Sequence, residues 1–319
     1  MASDLDFRAL RFRSIQERAH KVDVGALGKP TPQGCSFRDW LESLPNFLAV
    51  QELGAVAHAV VAARKAGKPV VLAFGGHVVK TGCGPLVIDM MERGIVTAVA
   101  TNGSGAIHDL ELAQTGATSE EVADTIRDGS FGMVSETCQW MNEAAALGAK
   151  SGLGAGVGAV IEKSEAPHRR HSIFAAAFRK SVPATVHVAV GTDTVHVHPD
   201  ADGAAIGAAT LRDFRTLCGL VAAMGSKIGE SVGGVWLNFG SAVIMPEVFL
   251  KAVSVARNLG HDLSHVQTGN FDMIKHYRPV QNVVTRPVLP GRGHHVTGHH
   301  ELTLPLLRQA ILEYAGNGA

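Results

Sequence analysis

The sequence predicts an α/β fold built on a doubly wound, mainly parallel sheet. Three observations point there. Short apolar runs alternate with longer stretches of helical periodicity, the rhythm of strands joined by crossover helices. The runs are apolar throughout, as strands covered on both faces are. No Asn-Gly flanked by alternating hydrophobics marks a hairpin; Asn102-Gly103 lies between a strand and a helix.

The elements follow in order. Residues 1–48 are polar, with Pro30, Pro32, Gly34 and Pro45, and form an arm or cap; residues 49–319 form the α/β domain. Ala49 to Lys65 has helical periodicity and stops at Gly67-Lys68-Pro69. Val70 to Phe74 is a strand, Gly82 to Arg93 a helix, Ile95 to Ala100 a strand and Gly105 to Gln114 a helix. Thr118-Ser119-Glu120-Glu121 has the capping-box form that starts a further helix. Residues 150–170, rich in glycine, read as a flexible connection. Ile173 to Lys180 is then a helix, Pro183 to Val190 a strand, Ala204 to Met224 a long helix and Val235 to Phe239 a strand. Pro246 to Leu259 is a helix that its proline starts well, His265 to Gln267 a strand, and Glu301 to Tyr314 the last helix.

The 319 residues are 46% hydrophobic and 18% charged, enough apolar surface for one large core and too much for disorder. Lys+Arg and Asp+Glu both number 29, so the chain has no electrostatic footprint for nucleic acid or an anionic membrane. Aromatic residues are only 5%, which argues against base-stacking platforms. The four cysteines show no CxxC spacing, which fits a reducing, cytoplasmic setting rather than a zinc ribbon or disulfide scaffold. The first residues, MASDLDFRALRFRS, carry charge from the start and have no apolar core of a signal peptide.

In a doubly wound sheet, ligands bind beyond the carboxyl ends of the strands. The segments there read Gly75-Gly76-His77, Thr101-Asn102-Gly103-Ser104-Gly105, Gly191-Thr192-Asp193, Gly240-Ser241 and Thr268-Gly269-Asn270. Glycine lets a ligand approach the backbone, and small hydroxyl and amide side chains donate to phosphate or ribose oxygens. Tight strand termination explains any one glycine; five such loops together point to a nucleotide. Asp193 is a candidate for a ribose carboxylate or a helix cap. His108, opening a helix with Asp109 and Glu111, is a candidate general acid or base. His196 and His198 alternate and, with Asp200 and Asp202, offer a polar pocket lining or a divalent metal site. His294-His295 and His299-His300 read as solvated surface. Lys80 and Lys275 are the lysines close to strand ends that could form a Schiff base.

Over residues 70–290 the motif order resembles deoxyhypusine synthase. Val78-Val79-Lys80-Thr81-Gly82 is similar to that family's NAD-contacting Asn-Leu-hydrophobic-Ser-Ser-Gly segment. Val99-Ala-Thr-Asn-Gly-Ser-Gly105 resembles its Thr-Thr-Ala-Gly-Gly loop, with Asp109 on the acidic residue that follows. Ser172 to Pro183, Gly191-Thr-Asp193, Phe239-Gly-Ser-Ala-Val and Thr268-Gly-Asn-Phe-Asp272 resemble its later segments in the same order. The resemblance implies a Rossmann-like fold that binds NAD through Thr81, Gly82, Asn102, Gly103, Ser104, Gly105, Asp193, Gly240, Ser241, Thr268 and Gly269. It also implies sites formed between subunits of a homotetramer. The family's catalytic lysine has no counterpart, since that stretch reads Asn282-Val-Val-Thr-Arg-Pro287. Its Lys-His-His is replaced by Ile244-Met-Pro-Glu247, and its polyamine-holding aspartate falls near His198. His108-Asp109-Leu-Glu111 is also similar to the Thr-His-Asp-Ile-Glu segment of archaeal NAD-dependent ornithine cyclodeaminases.

Together these readings make the expected activity the transient, NAD-dependent oxidation of a small amine or alcohol. The catalytic candidates are His108, Asp109, His196 and His198. A metal-dependent lyase or hydrolase using His196 and His198, and a nucleotide-binding protein without turnover, are the alternatives.

Overall fold

The computed structural model describes residues 4–316. It divides into two units, one ending at Val50 and the other beginning at Gln51. In the first unit, 3₁₀ turns at Phe7–Ala9, Ile15–Glu17 and Val24–Ala26 each begin at a short polar residue. Asp6, Ser14 and Asp23 accept from the backbone N–H two residues on, a local bond that needs no core. Helix α1 (Phe37–Ser43) is capped by Ser36, which accepts from the Asp39 N–H. Helix α2 (Leu48–Lys65) leads into the second unit and buries a face containing Leu53, Val56, Val60 and Ala63.

The second unit is built on six strands, all parallel, in the order β3-β2-β1-β4-β5-β6. They are β1 Val70–Phe74, β2 Ala98–Asn102, β3 Ala184–His187, β4 Val235–Phe239, β5 Gln267–Asp272 and β6 Gly293–Thr297. Between them run α3 (Gly76–Lys80), α4 (Gly84–Glu92), α5 (Gly103–Thr115), α6 (Val122–Thr125), α7 (Ser135–Gly148), α8 (Leu153–Lys163), α9 (Ile173–Lys180), α10 (Gly203–Ala223), α11 (Ile244–Asn258), a turn α12 (Tyr277–Pro279) with a π-helical stretch Val280–Thr285, and α13 (His300–Ala315). This is the expected Rossmann-like α/β fold. β1 and β4 are buried at every position, which explains their unbroken apolar sequences.

The two sheet faces carry different aromatic stacks. On one, Trp236 stacks on Phe249 of α11 at 4.2 Å, within a cluster that includes Val71, Ala73, Leu217, Val221 and Met224. On the other, Phe239 and Phe271 of neighbouring strands stack at 4.4 Å with nearly parallel rings. Each buried aromatic ring contributes about 1.5–3 kcal/mol by leaving water, and a stacked pair adds about 0.5–1.5 kcal/mol.

Four expectations need correction. Residues 153–163 are not a loose connection but helix α8. Its Gly154, Gly156 and Gly158 lie against the carbonyl oxygens of Ala184, Ala144 and Phe174, so close that a Cβ on any of them would collide with backbone. Tertiary packing here overrides the poor helix propensity of glycine. The histidine-rich segment forms the edge strand β6 and the start of α13, with His294 and His300 buried. Thr268 and Gly269 lie inside β5 near its amino end, paired with Trp236 and Leu237. They are therefore remote from the strand-end loops. Thr268 donates its hydroxyl to the Val283 carbonyl at 2.7 Å, and Gly269 faces Val56 and Phe271. Replacing Thr268 with valine should cost about 1 kcal/mol, the net value of a buried hydrogen bond, measured as a lower denaturant midpoint with unchanged slope. Finally, Thr118 starts no helix: α6 begins at Val122 and is capped by Glu121.

Among the described residues no single helix is long and apolar enough to cross a membrane.

Candidate active site

The strand order reverses between β1 and β4, so their carboxyl ends flank the crevice where such sheets hold ligands. The glycines at this edge let protein loops meet. A Cβ on Gly75 would lie 2.7 Å from the Gly240 carbonyl oxygen. One on Gly76 would collide with Ser104 Oγ and lie 2.9 Å from His108 Cδ2. One on Gly105 would strike Thr101 and lie 3.2 Å from the Phe74 ring. Gly240, at φ +66°, leaves room for the His300 ring. Four of the five predicted loops thus come together at one edge. The space beside Gly75, Gly76, Gly105 and Gly240 is filled by neighbouring protein atoms.

Beside this edge a cleft of about 610 Å³ opens between α5, the 117–122 loop, α7 and residues 192–194. Lys80, Ser104, His108, Glu111, Glu136, Trp140 and Asp193 are among its lining residues. His108 reaches it because helix α5 starts at the end of β2, where Asn102 accepts from the Gly105 N–H at 3.2 Å. His108 Nδ1 lies 2.8 Å from Thr118 Oγ1. Thr118 donates to Glu111 Oε2 at 2.5 Å, and Thr137 donates to Glu111 Oε1 at 2.8 Å. Burial lowers the pKa of His108, and the Lys80 ammonium lowers it further, against a smaller upward pull from Glu111. The imidazole is therefore neutral near pH 7, the form that can accept a proton.

The other predicted residues fall as follows. Asp109 does not face the cleft, because one residue along a helix turns by about 100°. Its buried carboxylate accepts from Ser172 Oγ at 2.5 Å and from the N–H groups of Ile173 and Phe174 at 2.8 and 3.2 Å, capping α9. Burial outweighs those three donors and raises its pKa to about 6. The expectation of a catalytic Asp109 is thereby corrected to a structural one. Asp193 lies directly over Gly103, accepts from the Ser104 N–H and complements the start of α5. Burial raises its pKa; His196 and the Ser104 bond pull the other way.

His196 and His198 are not on an extended segment, since Thr194–Val197 is a 3₁₀ turn. His196 Nδ1 accepts from the Gly191 N–H at 3.2 Å, and His198 Nδ1 from the Asp200 N–H at 3.2 Å. Asp202 caps α10. Among the described residues no three His, Cys, Asp or Glu side chains are grouped to hold a metal. Thr81 closes α3 by donating to the His77 carbonyl at 2.9 Å, and Gly82 follows at φ +77°. Ser241 Oγ accepts from the Met245 N–H at 3.1 Å at the start of α11. Lys80 lines the cleft, whereas Lys275 is exposed near His295.

A second group sits across Gly240 from the cleft. His300 is fully buried with neither ring nitrogen partnered, and the buried Asp272 leaves Oδ2 without a partner. His77 meets His300 edge to face at 5.7 Å. Burial lowers the pKa of His300, with Asp272 opposing. Next to them, three side chains in register across β4, β5 and β6 form a row. Asn238 donates to Asn270 at 2.7 Å, and Asn270 contacts His295 Nδ1 at 2.9 Å. Sequence reasoning missed His300, Asp272, Thr118, Thr137 and Trp140. A run of paired histidines carries no periodicity, and Thr137 lies on a helix that the strand rhythm did not mark. Only the spacing of His108 and Glu111, one helical turn apart, was a usable signal.

No protein-family model and no curated protein matches the chain. Solved structures do. The complex of AgrE with ornithine and NAD+ superimposes with a TM-score of 0.53 and 17% identity, over 81% of this chain and 32% of that one. ArgZ, an arginine dihydrolase of the cyanobacterial ornithine-ammonia cycle, gives 0.51 and 15%, over 83% and 32%. A protein assigned to the LOR/SDH class from Methanococcus maripaludis S2 gives 0.50 and 14%, over 95% and 75%. The chain spans about a third of the length of AgrE and ArgZ. The likeness is one of fold.

Proposed function

We propose that the protein is an NAD-dependent enzyme that transiently oxidises a small amine or alcohol in the His108 cleft. The observation that carries the reading is the neutral histidine at the wall of a cleft that adjoins the β1/β4 switch point. The buried, unpartnered polar atoms of His300 and Asp272 at the same sheet edge are suited to the hydroxyl groups of a bound nucleotide. AgrE, which shares the fold, is seen with NAD+ and ornithine. The motif resemblance to deoxyhypusine synthases and ornithine cyclodeaminases points the same way.

In this reading His300, Asp272 and the Gly240-Ser241 loop would hold NAD, which would supply a hydride acceptor for the substrate carbon. His108 takes the proton that the substrate hydroxyl or amine gives up. Glu136, Glu120 and Asp193 make the cleft wall acidic, and Trp140 and Phe131 add aromatic surface to it. The missing family lysine makes an imine with the enzyme unnecessary to the scheme; Lys80 is exposed and acts on the charge state of His108.

The test is calorimetric titration with NAD+, followed by rapid mixing of the complex with short amines and alcohols while NADH fluorescence is followed. Saturable binding and a transient NADH signal are expected. His300→Leu should weaken NAD+ binding about tenfold, roughly the loss of one buried hydrogen bond, without unfolding the protein. Absence of saturable binding to the wild-type protein would sink the reading.

A further inference from the structure

We propose that Glu111, acting through the Thr118 hydroxyl, holds His108 in one tautomer, with its proton on Nδ1 and a free lone pair on Nε2. The inference rests on the reading of His108 as the base, and it makes Thr118 and Glu111 positioning residues.

The argument is a count of hydrogens. The Thr118 hydroxyl has one hydrogen and two neighbours, Glu111 Oε2 at 2.5 Å and His108 Nδ1 at 2.8 Å. A carboxylate only accepts, so the hydroxyl hydrogen goes to Glu111. The Thr118 oxygen is then left to accept, and Nδ1 must supply the hydrogen between them. Thr137 holds the second Glu111 oxygen at 2.8 Å, so the carboxylate cannot swing away from Thr118. On the other side of the ring, Cδ2 lies against Gly76 at the start of α3, and the ring lines the cleft.

The inserted hydroxyl has a further effect. It keeps Glu111 Oε2 3.9 Å from Nδ1, where direct contact would raise the histidine pKa strongly. Lys80, on α3, is the cation that opposes it. Orientation is thereby separated from charging: the ring is aimed as a carboxylate would aim it, yet stays neutral and ready to accept a proton.

Imidazole ¹⁵N NMR of the full-length protein, with His108 assigned by substitution, tests this without any substrate. The expected result is a protonated, pyrrole-type Nδ1 and a pyridine-type Nε2 in the wild-type protein. Thr118→Val should abolish that preference, and Thr118→Ser should restore it. A wild-type His108 protonated at Nε2, or an unchanged tautomer in Thr118→Val, overturns the proposal. On the substrate that the NADH assay identifies, Thr118→Val and Glu111→Gln should lower kcat about tenfold to a hundredfold with little change in KM, the usual effect of losing an orienting partner. The NMR result stands whatever that assay shows, so a failed NAD reading and a failed relay give different outcomes.

Discussion

His108→Ala is expected to lower turnover by about two to four orders of magnitude, the range for loss of a general base, while NAD+ binding is retained. His108 forms the cleft wall and does not hold the switch-point crevice, where His300 and Asp272 sit beyond Gly240. Chemistry and cofactor affinity should therefore separate in this variant. The pH profile gives an independent check. The wild-type acid limb should fall below the usual histidine range, because burial and Lys80 both lower the His108 pKa. Lys80→Ala removes a nearby positive charge, so protonation becomes easier and the acid limb moves to higher pH. Activity above that limb should persist. Lys275→Ala should leave the profile in place. A fully active His108→Ala protein, or substrate trapped on Lys80 by borohydride, overturns the assignment.

Asp213→Ala is expected to be the most damaging substitution outside the cleft. Asp213 is buried on α10 and its Oδ2 accepts from the N–H groups of Gly154 and Val186 at 2.9 and 2.8 Å. It therefore ties three elements, α8, β3 and α10, at one carboxylate. Alanine would leave both donors buried and unpaired, at about 1–3 kcal/mol each. The loss of about 2–6 kcal/mol is large against the roughly 5–15 kcal/mol that keeps a domain folded. The measurement is the thermal midpoint, which should drop by many degrees. The pH dependence has a definite sign. Burial raises the folded-state pKa of Asp213 to about 7, above the unfolded value of 3.8. Its stabilising contribution is then complete below the unfolded pKa and is lost as pH rises through about 7. Asp213 should therefore remove stability between about pH 4 and 7, read as the difference between the wild-type protein and Asp213→Asn, because buried His187, its pKa lowered to about 4, acts with the opposite sign over part of that range in both proteins. Asp109, with its pKa near 6, contributes a smaller total fall of the same sign, over a narrower pH range, in both proteins. An Asp213→Ala midpoint within a degree or two of wild type would refute the structural role.

How much was legible depended on how local each signal is. β1 and β4 match their apolar runs at both ends, because a strand buried on both faces writes its burial directly into the sequence. α9, too, matches at both ends. β2 is shifted toward Asn102, since Ile95 and Val96 are buried before the strand begins and look no different from strand residues. β5 was missed in most of its length. Thr268, Asn270 and Asp272 are polar, and the partners of Thr268 and Asn270, on β4, β6 and the π-helical stretch, are contributed by distant sequence. His294 bonds to Glu52 across 242 positions, a relation that no local pattern contains. His108 was found because its own turn of helix carries the signal. Its orientation was not, because Thr118 and Thr137 come from a loop and a second helix.

Helix α8 has a consequence for how this scaffold can change over evolutionary time. Its glycines seat it against Ala144 of α7, Ala184 at the start of β3 and Phe174 of α9, leaving no room for even a methyl group. Gly148 at the end of α7 is as tight, with a Cβ there only 3.0 Å from the Leu153 backbone. α7 is thus anchored by backbone contact near its carboxyl end, while its amino-terminal half presents Glu136, Thr137 and Trp140 to the cleft. Change is blocked where the backbones touch, and Thr137 is held by its bond to Glu111, whereas Glu136 and Trp140 can be exchanged without displacing the helix, so the wall of the cleft can vary while the frame stays constant.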